Sequence, residues 1–167
     1  MTTLNISTTS ADAAMQFGEA LAQILVGGDL IDLRGDLGAG KTTTTVGIAR
    51  GLGATSTVRS PTFTFVHHHR LARDQQELLH VDLYRIEDPL ELEGIGLFDL
   101  MDDQTIVVVE WMERAGGQLP PATLTVSLTS TGPESRAVAV TVDEERLSVL
   151  RGALEAAGFA VTESSEA

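Results

Sequence analysis

The sequence is notable first for what it lacks. None of its 167 residues is cysteine, which excludes disulfides, zinc-thiolate sites and thiol catalysis. Its longest apolar runs, such as residues 106–109, are far too short to span a bilayer, and residues 1–10 lack the basic and apolar segments of a signal peptide. Basic residues number 11 against 24 acidic ones, a net charge of −13. We therefore expect one cytoplasmic domain over residues 1–167 that has no membrane contact and attracts a basic protein partner more readily than a nucleic-acid backbone.

Lysine is almost absent, and its position is informative. Lys41 is the only lysine, and residues 35–42 fit the phosphate-loop pattern G-x-x-x-x-G-K-[ST] at every position. In such a loop the backbone N–H groups and the following helix N-terminus bind phosphate oxygens, while the lysine reaches the β- and γ-phosphates. Thr42 would offer its hydroxyl to Mg²⁺. The predicted phosphate-binding residues are Asp36, Leu37, Gly38, Ala39, Gly40, Lys41, Thr42 and Thr43.

The apolar pattern predicts an α/β protein. In chain order it indicates a helix ending at Gly27-Gly28 and begun by a capping box at Thr9 and Asp12, a strand (30–34), a helix (42–50), a β-rich stretch (62–69), an alternating strand (78–84), a short acidic helix from residue 88, an apolar strand (105–109), a hairpin (124–129 and 137–142), a helix capped by Asp143 and a loose tail (162–167). This order predicts a three-layer P-loop NTPase-like fold whose mixed sheet is parallel near the phosphate loop and antiparallel at its edge.

Two acidic residues are candidates for the second carboxylate that a phosphate loop needs to hold Mg²⁺ or to orient water. Glu110 follows the apolar strand in the manner of a Walker B acid at the carboxyl edge of a parallel sheet. Asp82 lies on the same face of its strand as His80 and Tyr84. Taken alone, either acid could be an ordinary strand-end residue. The presence of a phosphate loop in the same chain favours a functional pair.

Other features leave alternatives open. Residues 60–63, Ser-Pro-Thr-Phe, are either a switch in which Thr62 senses the γ-phosphate or an ordinary loop. Trp111, the only tryptophan, is interpreted as core packing rather than as a nucleotide reporter. The triple histidine at residues 67–69 invites a metal, but strand alternation would divide it between two faces, and we expect no zinc. Arg136, near the hairpin turn, is a candidate nucleotide contact.

Four segments together resemble one family. Residues 35–43, Ser60-Pro61-Thr62-Phe63, the H-x-D-x-Y-R run at residues 80–85 and Val109-Glu110-Trp111 strongly resemble the TsaE (YjeE) family in order and spacing. The resemblance implies a small ATPase, weak alone, that uses ATP and Mg²⁺ and acts with the TsaD–TsaB pair in making tRNA threonylcarbamoyladenosine. The tRNA would be held by the partners.

The same resemblance implies roles for particular residues. Lys41, Asp82, Glu110 and Thr62 would be catalytic, with Thr42 and Glu110 at the metal. Nucleotide contacts would include Thr9 and Arg136 besides the phosphate loop. Two other functions remain possible from the residues alone: a small-molecule phosphotransferase, although no arginine-rich lid is visible, and a nucleotide-gated binding module without hydrolysis.

Overall fold

A mixed β-sheet forms the centre of the computed structural model, which describes residues 1–58, 64–72 and 76–165. Its eight strands are β1 (Thr2–Thr8), β2 (Leu30–Arg34), β3 (Val66–Arg70), β4 (Glu77–Asp82), β5 (Thr105–Glu110), β6 (Leu124–Ser130), β7 (Arg136–Val142) and β8 (Thr162–Ser165). The α-helices are α1 (Ala11–Leu21), α2 (Lys41–Gly51), α3 (Glu91–Ile95), α4 (Leu97–Leu100) and α5 (Glu144–Ala156). Within the described ranges no helix is long and apolar enough to cross a membrane.

The strand order places the phosphate-loop strand in the middle of the sheet. The order is β3-β4-β5-β2-β6-β7-β1-β8. Strand β2 is parallel to β5 and β6, and β5 is parallel to β4. The outer pairs, β3–β4, β6–β7, β7–β1 and β1–β8, are antiparallel. The predicted α/β fold with a mixed sheet is confirmed, and the antiparallel pairing extends along both edges.

Helices cover both faces of this sheet. On one face α1, α2 and α5 bury Phe17, Ile48 and Leu150 in a core cluster that includes β2 and β5 residues such as Ile31. On the other, the short helices α3 and α4 bury Leu92 and Leu97 against the opposite side chains of β4 and β5. A fully buried residue of these types stabilises the fold by about 1.5–3 kcal/mol. The alternation of apolar residues along β2, β4 and β5 thus creates the three layers.

Helices α1 and α2 pack unusually closely. A Cβ built on Gly47 would collide with the backbone carbonyl of Met15, and one built on Gly18 would collide with that of Thr44. Thr44 is fully buried at this contact. A bulkier residue at any of these positions would push the helices apart, so this packing determines where α2, and the loop before it, lie.

Three sequence predictions are tested by these elements. Asp143 caps α5 as expected, accepting a hydrogen bond from the backbone N–H of Arg146. The predicted cap of α1 at Thr9 is wrong, because the hydroxyl of Ser10 accepts the hydrogen bond from Ala13 N–H. The predicted loose tail is also wrong for Thr162–Ser165, which pairs with β1 as β8. The proposed switch at residues 60–63, with Thr62, lies outside the described residues.

Candidate active site

The loop between β2 and α2 has the backbone conformation of an anion cradle. Gly38 and Gly40 have φ angles of 77° and 100°, in the left-handed region that favours glycine. A Cβ on either residue would meet no heavy atom within 4 Å, so the space at the loop is open. Helix α2 begins directly at Lys41, and the N–H groups of its first turn have no acceptors within the helix. The loop therefore fits phosphate oxygens.

One side chain of the loop is buried in the core, and others are exposed to solvent. Ala39 is buried in the core, and its backbone N–H donates to the carbonyl of Asp36 at 3.0 Å. The side chains of Asp36 and Leu37 are exposed, Leu37 by 67%. The backbone of this segment, rather than its side chains, is thus what faces a phosphate group.

Lys41 is folded back over the loop. Its Nζ donates to the carbonyl oxygens of Gly35 and Asp36, at 2.5 and 3.0 Å, and lies 4.5 Å from the centroid of the Trp111 ring. Burial lowers the pKa of Lys41, while the negative charges of Glu110 and Asp82 act in the opposite direction. The ammonium group is therefore held among acceptors at the place where a phosphate would bring further negative charge.

Asp82 and Glu110 are brought together by the sheet. They are register partners at the carboxyl ends of the parallel strands β4 and β5, as their sequence positions predicted. Both are almost completely buried, at 5% and 4% exposure. The backbone N–H of Tyr84 donates to Asp82 Oδ1 at 2.9 Å. Two carboxylates fixed side by side in this way suit a divalent cation with oxygen ligands or a water molecule that must be oriented.

The loop, the lysine and the two acids line one cavity of about 370 Å³. Its lining residues are Leu37, Gly38, Gly40, Lys41, Thr42, Thr43, Asp82, Tyr84, Glu110 and Trp111. Most of the residues predicted from sequence to bind phosphate, metal or water therefore meet in one place.

His80 has a contact that the sequence did not reveal. Its Nε2 lies 2.8 Å from Glu110 Oε1, and both side chains are buried. His80 pairs with Val108, which lies two residues before Glu110 on β5, so the imidazole and Glu110 are on the same face of the sheet. The H-x-D spacing put His80 on the same strand face as Asp82. That spacing was the one signal from which a contact between His80 and an acid on the next strand could have been predicted. This bond holds one carboxylate oxygen of Glu110 and leaves the other for the cavity.

Trp111 forms a wall of the cavity instead of lying in the core alone. Its backbone is left-handed, with φ of 60°, which is uncommon for a bulky residue. Its ring lies 5.1 Å from that of Tyr84, and the Arg114 guanidinium is 5.3 Å from the Tyr84 ring. Although Trp111 also packs against the core under α3, its contact with Lys41 ties it to the phosphate loop. The interpretation of Trp111 as core packing alone is therefore incomplete.

Arg136 contacts the phosphate loop directly. Its Nε donates to the carbonyl of Ala39 at 2.9 Å and its Nη2 to that of Gly38 at 3.1 Å. Its Nη1 donates to carbonyls of its own hairpin, Gly132 at 3.1 Å and Ser135 at 2.8 Å. The guanidinium thus joins the hairpin to the loop and holds the carbonyls away from the cradle.

A smaller cavity of about 190 Å³ continues from the loop on the side of Arg136. It lies between the start of α1 and the hairpin turn, and Ser10, Ala14 and Pro133 line it. Ser10, rather than the predicted Thr9, contributes to its lining. This space is where the nucleoside part of a nucleotide held by the loop could extend.

The triple histidine divides between faces as predicted. His69 is buried, with Nδ1 2.7 Å from the Ser56 hydroxyl, while His68 is exposed and 3.8 Å from Glu77. Burial lowers the pKa of His69, and the neighbouring histidines lower it further. In the described parts of the chain no three His, Asp or Glu side chains are grouped to hold a metal ion. A two-carboxylate site that shares Mg²⁺ with phosphate oxygens does not require such a group.

Comparison with known proteins agrees with this geometry. The family model of the threonylcarbamoyl adenosine biosynthesis protein TsaE matches residues 8–138. The tRNA threonylcarbamoyladenosine biosynthesis protein TsaE of Haemophilus influenzae is 40% identical over 119 residues, 68% of this chain and 74% of that protein. The protein of the same name from Streptomyces coelicolor is 40% identical over 132 residues, 78% and 84% of the two chains. The crystal structure of Bacillus subtilis YdiB matches with a TM-score of 0.72 and 30% identity, covering 93% of this chain and 97% of that one. Since both sequence and fold match over most of its length, the chain belongs to the TsaE family.

Proposed function

We propose that this protein is an ATPase that binds ATP with Mg²⁺ and serves the TsaD–TsaB pair as an accessory protein in forming tRNA threonylcarbamoyladenosine. One observation carries the proposal: the phosphate loop with Lys41 and Thr42 shares a cavity with the buried pair Asp82 and Glu110. A phosphate-binding loop alone would suit many nucleotide-binding proteins. The two fixed carboxylates add what hydrolysis requires.

The charged residues of the cavity and the backbone of the phosphate loop each have a role in this reaction. Lys41 leaves the carbonyls of Gly35 and Asp36 and places its charge on the phosphates, where negative charge increases during phosphoryl transfer. The N–H groups of the loop and of the α2 N-terminus bind phosphate oxygens. Asp82 orients the attacking water and accepts its proton, since its carboxylate is buried and held by the Tyr84 N–H.

The residues present also fit a magnesium ion. Thr42 and Glu110 would hold it, and His80 fixes the orientation of the Glu110 carboxylate. When bound, Mg²⁺ neutralises charge on the phosphate oxygens and the leaving group. Mg²⁺ is usually bound by one or two protein carboxylates, and its other ligands are phosphate and water. Here the nearly buried carboxylates would supply the protein ligands, and the open space at the loop leaves room for phosphate and water.

The accessory role is supported by the family and by charge. The relatives named above carry tRNA threonylcarbamoyladenosine biosynthesis in their names. With a net charge of −13 the chain repels a tRNA backbone, so we propose that the tRNA is held by the partners and that ATP turnover resets the complex between cycles.

Hydrolysis assays test the proposal. ATP turnover is measured with the chain alone, with purified TsaD–TsaB, and with small-molecule acceptors. We expect weak activity alone and a rise with TsaD–TsaB only. A phosphorylated acceptor without stimulation by TsaD–TsaB would contradict the proposal and indicate a phosphotransferase. ATP binding without turnover under every condition would indicate a nucleotide-gated binding module.

A further inference from the structure

A second, larger cavity of about 650 Å³ lies beside the candidate active site. Asp32 and Arg34 of β2 and Thr125 of β6 line it, together with Trp111, Met112 and Glu113. Along β2 the neighbouring residues Ile31 and Leu33 belong to the core under α1, α2 and α5, so Asp32 and Arg34 face the opposite side of the sheet. This cavity therefore lies on the other face of the sheet from the phosphate cradle.

Asp32, one of the residues that line this cavity, has an acceptor without a hydrogen-bond partner in the described parts of the chain. Its side chain is only 7% exposed, and Oδ2 accepts a hydrogen bond from Arg34 Nε at 2.7 Å. Oδ1 is buried and has no hydrogen-bond partner among residues 1–58, 64–72 and 76–165. A buried carboxylate oxygen without a donor is costly in a folded protein, and such atoms are normally paired. The Asp32 carboxylate thus retains one oxygen that could take a further donor after a small movement of the side chain.

The charges at the cavity favour a cation as the occupant. Its lining contains two carboxylates, those of Asp32 and Glu113, and one guanidinium, that of Arg34. This combination has one excess negative charge in a chain that is acidic overall. Trp111 adds an indole ring, the aromatic group that attracts cations most strongly. Indeed Lys41 and the Arg114 guanidinium already lie 4.5 and 5.8 Å from the centroid of that ring.

We propose that the cavity receives an arginine side chain of a partner protein, which pairs with Asp32 Oδ1 and Glu113 and packs against Trp111. Arginine fits better than lysine, because its planar guanidinium can donate to two carboxylates at once and can stack on an indole ring. An exposed carboxylate at the rim, Glu113, and a buried one deeper in, Asp32, are arranged for a long side chain entering from outside.

The same cavity adjoins the nucleotide site through two residues. Gly35 and Trp111 line it, while the Gly35 carbonyl and the Trp111 ring both contact Lys41. An arginine in the cavity would therefore touch the groups that hold Lys41 off the phosphates. By linkage, its binding and that of nucleotide influence each other.

The first test uses the chain alone, because Trp111 is its only tryptophan. Nα-acetylargininamide is titrated at constant ionic strength while tryptophan fluorescence is recorded, and the neutral isostere Nα-acetylcitrullinamide is the control ligand. We expect a saturable change in the millimolar range with the arginine compound only. Asp32→Asn and the exposed-site variant Glu113→Gln should each weaken it at least about fivefold. Glu155→Gln, on the distant helix α5, should leave it unchanged.

An equal response to both ligands, or a response unaffected by both Asp32→Asn and Glu113→Gln, would overturn the proposal. Because Glu113 is exposed, its variant tests the idea even if Asp32→Asn fails to fold.

The second test identifies the partner and rests on the proposed function. Binding of TsaD–TsaB is measured by calorimetry for the wild-type chain, Asp32→Asn and Glu113→Gln, with ATP affinity measured in parallel. We expect both variants to lose at least about tenfold in partner affinity while ATP affinity stays within about twofold. If the wild-type chain binds TsaD–TsaB and both variants bind equally well, the arginine does not come from that pair and the inference fails. If the wild-type chain does not bind, the proposed function fails instead, and the arginine titration alone judges the cavity.

Discussion

Removing the guanidinium of Arg136 should weaken nucleotide binding, because Arg136 holds the carbonyls of the phosphate loop. We consider Arg136→Met, which retains an unbranched side chain and deletes the two hydrogen bonds to the Gly38 and Ala39 carbonyls. Without them the loop can adopt conformations in which those carbonyls turn toward the cradle. Binding must then restore the order that Arg136 supplies in the wild-type chain.

The magnitude follows from the two bonds. A hydrogen bond to a charged group contributes about 1.5–3 kcal/mol when both partners are shielded. Gly38 is exposed, so its carbonyl regains a water molecule and loses little, whereas Ala39 is buried. The expected loss of binding free energy is therefore that of one hydrogen bond, roughly 1.5 kcal/mol, which corresponds to an affinity about tenfold lower.

Calorimetric titration with two ligands separates this explanation from a direct contact. Under the proposed function ATP and pyrophosphate would both bind through the loop, so bracing of the loop predicts the same roughly tenfold loss for each. Arg70→Met, at an exposed position on β3, is the matched control and should change neither affinity. A loss for ATP with unchanged pyrophosphate binding would refute the bracing argument and place the guanidinium on the nucleoside. Unchanged affinity for both ligands would show that the loop is ordered without Arg136.

Four further predictions concern the cavity and the histidines. Lys41→Ala should lower ATP affinity at least about 100-fold by calorimetry, because a phosphate loses its charged donor; unchanged affinity would disprove the phosphate-loop assignment. Asp82→Asn and Glu110→Gln should bind ATP within a few-fold of wild type but hydrolyse it at least about 100-fold more slowly, and unimpaired turnover would remove them from the chemistry. Trp111 fluorescence should change on ATP addition as Lys41 leaves the ring, and an invariant spectrum would mean that the contact persists. Burial lowers the pKa of His69 in the native state. Below the ordinary histidine pKa, His69 is therefore protonated in the unfolded chain but still neutral in the native one. Stability should therefore fall between about pH 7.5 and pH 5.5, and less steeply in His69→Gln, by urea unfolding at both values; equal losses would contradict this.

The central part of the fold could be predicted because local patterns and sheet topology agree there. The phosphate-loop consensus specifies its own backbone conformation, including the left-handed glycines Gly38 and Gly40. Asp82 and Glu110 are the last residues of two buried strands, and parallel strands that end at the same edge must bring such residues together. These predictions needed no knowledge of distant contacts.

Predictions failed or stayed incomplete where distant segments decide the structure. Arg136 reaches Ala39 only because β6 and β7 bring the hairpin beside the loop, 97 positions away in sequence. Strand β8 consists of four polar residues and has no apolar alternation to reveal it; its pairing with β1 and the ion pair between Glu163 and Arg151 exist only in the folded chain. Ser10, and not Thr9, caps α1. The sequence pattern missed this because adjacent Ser and Thr residues are both good caps and a consensus does not locate a helix end to one residue.

The close contact of α1 with α2 limits how the protein can respond to its nucleotide. With Gly18 and Gly47 against opposing backbone, α2 cannot tilt or slide toward α1 without steric overlap. This packing therefore limits movement of the phosphate end of the site toward α1. Under the proposed function, a movement that reports hydrolysis to a partner would start at the opposite wall. There Trp111 has a strained backbone, and its neighbour Lys41 is held by two carbonyls and an aromatic ring. If the proposed function is correct, a partner that detects the nucleotide state should bind the β5 side of the sheet and leave the helical face of α1 and α5 free.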